Sequence, residues 1–282
     1  MASTNLEQLS ILDTPRRKRP KEKNNPSDIQ ISWVQSKKDI KKIQKFRYKI
    51  FVEEMGANID AKNKIDEDIF DSYCEHLIVK DTKKNKIIGT YRVLTPLAAK
   101  RLGYLYSETE FDIGGLGNLK DEIVEVGRAC VHKDYRSGYT IMLMWSQIGR
   151  FMKKNNFRYL IGCSSVPMSD GGILAANIYR KLYDENRINN IYGVKPKIPL
   201  SSEQLHFKTD AMTPPLLKGY LRLGAIVCGK PAWDPDFNSA DFLTLLDINN
   251  VPQKYANHFL NEESRESTAR NQYRTKEFAI QN

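Results

Sequence analysis

The chain has 282 residues, 40% of them hydrophobic and 10% aromatic, and a formal net charge of +10. That length and apolar fraction exclude a disordered protein and fit one large domain or two small ones with a sizeable core. The charge calls for an acidic partner; no apolar run approaches the ~20 residues that span a bilayer, and the polar opening MASTNLEQLSILDTPRRKRPKEKNNP has no secretory apolar core, so a cytoplasmic protein is expected. The opening segment, 1–28, carries the basic block PRRKRPKEK (15–23), with six Lys or Arg and one Glu. It reads as a disordered tail, serving either as a solubiliser or as a contact for an anionic membrane surface. IQISWVQS (29–36) alternates as a strand does. KKDIKKIQKFRYKIFVEEMG follows with Ile40, Ile43, Phe46, Ile50 and Phe51 at helical spacing, and Gly56 ends it.

An acid-rich loop, ANIDAKNKIDEDIFDSYC, leads into EHLIVKDTKKNKIIGTYRVLTP, a hairpin of strand, charged turn and strand. Tyr104 to Gly117 is expected to be irregular with a short helix. DEIVEVGRACVH (121–132) is expected to be the central strand, TIMLMWSQIGRFMKKNN a helix, RYLIGCSSV a strand and GGILAANIYRKLYDEN a helix. PPLLKGYLRLG predicts a helix, and AIVCGKPAWD and FLTLLDI predict strands. Antiparallel strands first and a β-α-β unit after them make a mixed α/β (α+β) sheet flanked by helices, over 29–250, with a C-terminal extension at 251–282.

No GxGxxG follows a strand and no GxxxxGK[ST] occurs, so dinucleotide and P-loop phosphate binding are not expected. Cys74, Cys130, Cys163 and Cys228 are scattered, with no CxxC pair, which suggests neither a zinc site nor a disulfide framework. Cys130 and Cys163 lie in apolar strand-like runs and are expected to pack as small buried residues. The central strand raises a sharper question. Glu125 and Arg128 are charged residues in an otherwise apolar strand, and such charges are costly unless paired or used. Three positions apart, they point to opposite faces unless a bulge intervenes, and Gly127 between them is a candidate for it.

The order of elements resembles the acyl-CoA N-acyltransferase (GNAT) superfamily. There the central strand leads into a turn with the pattern Q/R-x-x-G-x-G/A, whose amides hold the pyrophosphate of coenzyme A. Here the stretch is RSGYTI (136–141), with Tyr139 and Ile141 at the two small positions. FRYKIFVEEMGA, DEDIFD, GTYRVLTP, YSETEFD, EVGRACVHKDYR and YLRLGAIVCGKPAWDPDF occur in order. Together they resemble the ornithine-lipid type N-acyltransferases, over about residues 40 to 250. A weaker skeleton, Arg47, Phe51, Asp68, Asp71, Arg92, Glu125 and Arg128, is similar to that of the acyl-homoserine-lactone synthases.

The resemblance implies transfer of a (3-hydroxy)acyl chain from acyl carrier protein to the α-amine of an amino acid, ornithine being the family's acceptor. Acyl carrier protein presents a phosphopantetheine without the adenosine diphosphate of coenzyme A, which a degraded pyrophosphate loop permits. It implies no metal, no tightly bound cofactor and no nucleic-acid partner, and it allows peripheral contact with the anionic inner membrane. Glu125 matches the family position for the base that neutralises the amine. Arg128 is expected to orient Glu125 or to hold the acceptor's carboxylate, unless the two form a structural ion pair. Asp68 and Asp71 are candidates to hold a second cation on the acceptor, or to pair with Arg47 or Arg92 and order their loop. Phe51 is a candidate for the acyl pocket or for core. Val131, His132, Arg136 and Gly138 are candidates for holding the pantetheine arm, with His132 otherwise an exposed turn histidine. Two other readings stand beside this one: an acyl-homoserine-lactone synthase, and an inactive scaffold that binds carrier protein or membrane.

Overall fold

The computed structural model describes residues 28–136, 138–200 and 212–259. The basic block at 15–23 and most of the C-terminal extension lie outside the described residues. In chain order, β1 (Ile29–Val34) leads into α1 (Lys37–Tyr48), which the Ser36 hydroxyl caps by accepting from the Asp39 amide. The helix does not stop there. It widens into a π-helical stretch, Lys49–Glu54, before Gly56 with φ +77° turns the chain. Ile43, Phe46, Ile50 and Phe51 point inward, while Lys37, Lys38, Lys41, Lys42, Lys45 and Lys49 are all exposed. The hairpin is β2 (Glu75–Asp81) and β3 (Lys86–Leu94). A helix that the sequence reading did not separate, α2 (Pro96–Leu102), begins on Pro96 with Thr95 as its cap. The short α3 (Ser107–Glu110) and β4 (Phe111–Asp112) lie in the segment expected to be irregular.

The central strand is β5 (Ile123–Val131), followed by α4 (Tyr139–Lys154), β6 (Tyr159–Pro167) and α5 (Ile173–Asp184). Then come β7 (Lys195–Pro196), α6 (Pro215–Arg222), β8 (Ile226–Val227), β9 (Ala232–Asp234), β10 (Ser239–Asp247) and α7 (Gln253–Phe259). The AIVCGKPAWD segment therefore forms two short strands where one was expected.

The main sheet runs β1-β2-β3-β5-β6-β10-β8, with β9 also on β10. All its pairings are antiparallel except β5 with β6. One face carries Leu77, Val93, Val124, Val126 and Leu160 against α4 and α6, through Met144, Trp145, Ile148 and Tyr220. The other face, with Ile123, Ile161, Leu243 and Leu245, is covered by α2 and the 104–116 segment through Leu105, Phe111 and Leu116. Between these two layers the sheet opens where β5 and β6 separate.

That separation is visible in the register. β5 and β6 pair only at Ile123 with Tyr159, Val124 with Leu160 and Glu125 with Ile161. Beyond Glu125 β5 bends away. Its partner β3 aligns Arg92 with Gly127 but Thr90 with Cys130, so Arg128 and Ala129 together face the single residue Tyr91. This is a β-bulge, and such an extra residue bends and twists its strand. Gly162, just beyond the last pair, has no room for a side chain: a Cβ there would lie 2.6 Å from the Val126 carbonyl oxygen.

Candidate active site

A cavity of about 480 Å³ opens where β5 and β6 part. Its walls are mostly apolar, and of the predicted site residues it takes in Phe51, Arg92, Glu125, Arg128, Val131, Arg136 and Gly138. Arg47, Asp68, Asp71 and His132 stand outside that lining.

Glu125 is 4% exposed. Its Oε1 accepts from the Ser107 amide at 2.7 Å and its Oε2 from the Tyr106 amide at 2.5 Å. The carboxylate thus caps the first turn of α3, two of whose backbone N–H groups need acceptors. Burial pushes the Glu125 carboxyl above the ordinary carboxylate range, and these amides pull it partly back. A carboxylate with a raised pKa in an apolar cavity suits proton removal from an amine.

The expected bulge is present, but its left-handed residue is not Gly127. Arg128 itself has φ +49°, while a Cβ on Gly127 would meet nothing within 4 Å. This unusual backbone brings Arg128 to the same cavity as Glu125. The two form no ion pair. Arg128 instead reaches Asp68 (Nη2 to Oδ2, 3.3 Å), Asp66 (Nε to Oδ2, 3.5 Å) and the Tyr106 hydroxyl (Nη1, 3.3 Å). Its guanidinium also lies over the rings of Phe237 and Tyr106, at 4.7 and 5.2 Å from their centroids.

Behind Arg128 stands a buried network of three arginines and three aspartates. Arg47, 1% exposed, grips Asp71 with two nitrogens at 2.7 Å each and Asp66 with its Nε at 2.8 Å. Arg92 Nη1 reaches Asp68 at 2.5 Å and Asp71 at 3.1 Å. Gln44 Nε2 adds a hydrogen bond to Asp71 at 3.0 Å. Burial alone raises the Asp71 carboxyl, but the Arg47 and Arg92 guanidiniums override it and hold that carboxyl well below the usual range. Asp68 and Asp71 also close a capping box around the turn Ile69–Ser72. Of the two uses expected for these acids, the structure therefore displays loop ordering by Arg47 and Arg92, since the arginines already neutralise them.

His132 is buried, not exposed as a turn histidine would be, with its Nε2 2.7 Å from Lys86 Nζ. Burial and the Lys86 ammonium lower its pKa. Arg136 donates to the Val131 carbonyl at 2.9 Å and pairs with Glu54 at 2.6 Å. Gly138, φ +90°, precedes α4, and Ile141 from its first turn lines the cavity. Phe51 reaches the cavity and meets Phe237 edge to face at 5.6 Å. Burial pushes the Cys74 thiol up to about 12 and raises Cys163 and Cys130 as well, so none is poised as a thiolate nucleophile.

Residues that carried no role in the sequence reading also line this space. Tyr106 and Phe237 sandwich the Arg128 guanidinium, and Asp234 and Asp241 form part of the wall. Tyr106 belongs to YSETEFD, and Asp234 and Phe237 to the end of the last quoted motif. The motifs flagged them, but only the fold brings them to Arg128. Among the described residues, one group of three metal-capable side chains occurs, Glu110, Cys163 and Asp241.

The acetyltransferase (GNAT) domain family matches residues 46–146, which hold α1's inner end, the hairpin, the central strand and the start of α4. Fold and cavity together define an acyltransferase of the GNAT type. The chain is 31% identical to the L-ornithine N(alpha)-acyltransferase of Agrobacterium fabrum over 255 residues, 84% of this chain and 87% of that protein. It is 31% identical to the protein of the same name from Rhizobium meliloti, covering 83% and 84%. It is 28% identical to that of Rhodobacter capsulatus, covering 82% and 94%. The chain belongs to the L-ornithine N(alpha)-acyltransferase family. Solved structures with a similar course of the chain include the CoA-dependent acyl-homoserine lactone synthase BjaI with SAM and isopentyl-CoA (TM-score 0.48, 11% identity, 83% of this chain and 91% of that one). Another is the acyl-homoserine lactone synthase LasI (TM-score 0.47, 12% identity, 84% and 98%).

Proposed function

We propose that the chain moves a (3-hydroxy)acyl group from acyl carrier protein to the α-amine of ornithine, forming a lyso-ornithine lipid. The observation that carries this reading is Glu125: a buried carboxylate of raised pKa on the wall of an apolar cavity that opens between β5 and β6. In the proposed reaction the acceptor enters as an ammonium and gives one proton to Glu125. The free amine attacks the thioester carbonyl carbon, and the Arg128 guanidinium stabilises the oxyanion. The adduct's nitrogen, cationic after attack, gives its second proton to solvent, the C–S bond breaks, the amide forms, and the proton on Glu125 passes to the departing thiolate. Asp66 and Asp68, themselves ordered with Asp71 by Arg47 and Arg92, hold Arg128 in place. The pantetheine arm lies along Val131, Arg136 and Gly138, with buried His132 supporting the turn from behind, and the acyl chain occupies the apolar part of the cavity near Phe51 and Ile141.

Two features support a carrier protein as donor. Tyr139 and Ile141 stand where the pyrophosphate loop has small residues. The exposed lysines of α1 also present a basic surface to an acidic carrier. No helix among the described residues is long and apolar enough to cross a membrane, and peripheral contact through basic residues is the proposed route for the product to the bilayer. Two measurements test the reading. Lipids from cells expressing the protein, analysed by mass spectrometry, are expected to contain an N-acyl amino acid whose fragments give ornithine. The purified protein is expected to prefer acyl carrier protein over acyl-CoA of equal chain length, with a preference that weakens in salt. An acyl lactone or no new lipid overturns the reaction, and equal, salt-independent kcat/KM for both donors overturns the choice of donor.

A further inference from the structure

Asp234 and Asp241 line the same cavity as Arg128, and Glu110 adjoins Asp241 just outside that lining; none of the three acids has a counter-ion among the described residues. Glu110 and Asp241 place a carboxylate oxygen each within 4.8 Å of the other and of the Cys163 sulfur. Both Glu110 oxygens are closed off from bulk solvent, and among the described residues neither receives a hydrogen bond. Asp241 is 3% exposed, lines the cavity and accepts from the Ser239 hydroxyl at 3.1 Å. Asp234 stands beside them on β9, its carboxylate held by the Asp236 and Phe237 amides. Among the described residues no lysine or arginine forms an ion pair with any of the three, and Arg128 on the same cavity wall pairs with Asp66 and Asp68 instead. Two carboxylates that share a buried site without a cation repel, and one of them keeps its proton. Accordingly, burial and then the neighbouring Asp241 push Glu110 up to about 10.

A chain that neutralises Asp66, Asp68 and Asp71 with three arginines yet leaves these acids bare has prepared a place for a cation from outside. We infer that Glu110 and Asp241, with Asp234 at the rim, bind the side-chain ammonium of the acceptor, while its α-amine faces Glu125. The inference rests on the reading of the site as an N-acyltransferase and specifies what selects its acceptor. The spacing agrees. Glu125 lies opposite Ile161, and Cys163 is two residues farther along β6, about 7 Å at strand rise. Asp241 lies on the adjacent strand opposite Ser165. A diamino acid with a three-carbon side chain spans such a gap. Selection works by leaving buried carboxylates unpaired when the second nitrogen is missing, the strongest form of discrimination that a polar pocket offers.

The test compares L-ornithine with L-norvaline, which has the same carbon chain and no side-chain nitrogen, using the full-length protein and one acyl carrier protein thioester. Wild type is expected to show kcat/KM for ornithine roughly 100-fold or more above that for norvaline. Glu110→Gln and Asp241→Asn are each expected to raise the ornithine KM by ~10- to 100-fold, with a smaller change in kcat, so that the ornithine-to-norvaline ratio collapses. Equal use of both acceptors by wild type leaves N-acylation standing and overturns the cation site, and this arm needs no variant to fold. A ratio that survives in both variants overturns it as well. Equal loss of kcat for both acceptors assigns the pair to the chemical step instead. Loss of wild-type activity to a chelator, restored by a divalent metal, assigns Glu110, Cys163 and Asp241 to an ion and also overturns the proposal. Failure of wild type to acylate either amino acid sinks the acyltransfer reading itself, and the cation site with it.

Discussion

Glu125→Gln is commonly regarded as a mild change that removes a charge and keeps a shape, but here it does more. Both carboxylate oxygens accept from backbone amides, Ser107 at 2.7 Å and Tyr106 at 2.5 Å. A glutamine has one acceptor oxygen, and its NH2 group meets the second amide donor to donor. One buried amide loses its partner, at about 1–3 kcal/mol. For a chain of this size each kcal/mol is worth about 2–4 °C in Tm, so the variant should melt roughly 2–12 °C lower. Loss of the base should lower kcat by roughly 100-fold or more, beyond any effect of the lower Tm. The pH dependence separates the two effects. Burial raises the Glu125 pKa, so wild-type kcat/KM should climb with pH on a limb above the ordinary carboxylate range, as the base ionises. That limb should be absent in the variant. Steady-state kinetics across pH, well below the melting point, together with scanning calorimetry, provide both readouts. Near-normal turnover in a folded Glu125→Gln protein, or an unchanged acidic limb, refutes the assignment of Glu125 as base and leaves it as the cap of α3.

Asp71→Asn should destabilise by about 3–5 kcal/mol, because buried Arg47 and Arg92 each lose one of the two carboxylates that neutralise them. The Asp71 carboxyl is held below its unfolded value of 3.8, so its contribution is present above that pH and is lost as pH falls toward the folded pKa; urea titrations at pH 7 and pH 3 should show the gap between variant and wild type narrowing in acid. Glu110→Gln should do the opposite. Its folded pKa is raised from 4.5 to about 10, so wild type loses up to ~1.4 kcal/mol per pH unit across that window while the variant does not. Melting curves at pH 5, 7 and 9 should therefore diverge in favour of the variant, and parallel curves would refute the shared-proton account. Deleting residues 1–26 should release the protein from anionic vesicles with soluble turnover intact, each basic residue near such a surface contributing about 1 kcal/mol. Unchanged vesicle binding would move attention to the lysines of α1.

The order of strands and helices was readable because period-two and period-3.6 patterns are local, and the hairpin, β5, α4, β6 and α5 all lie where those patterns put them. Short elements were not: α2 and β4 are too brief for a period, and the AIVCGKPAWD run hid a break between β8 and β9. The site divides along the same line. Glu125 and Arg128 stood out because charge in an apolar strand is anomalous within ten residues of chain. The pairing of Glu110 with Asp241 joins residues 131 positions apart, and no local pattern marks it. The bulge was foreseeable from face alternation, but its placement was not. Gly127 was the obvious candidate, and the strained turn fell on Arg128, where tertiary contacts to Asp68, Tyr106 and Phe237 override local preference. His132 is buried for a related reason: its amide donates to the Ile88 carbonyl and its ring meets Lys86, both distant in sequence.

The left-handed backbone of Arg128 has a consequence for any library of substitutions at that position. An arginine there costs about 1–2 kcal/mol in backbone energy relative to glycine. Glycine and asparagine relieve that strain and delete the guanidinium together, so their carriers should accumulate as well as wild type, or better, while turning over poorly. Lysine and alanine keep the strain and lose the contacts, and should suffer in both abundance and turnover. A screen for abundance and a screen for product would thus rank the same codon in different orders. Arginine would stand below glycine and asparagine in the first and best in the second, and the separation between the two rankings would measure how much folding free energy the chain forgoes to aim one side chain.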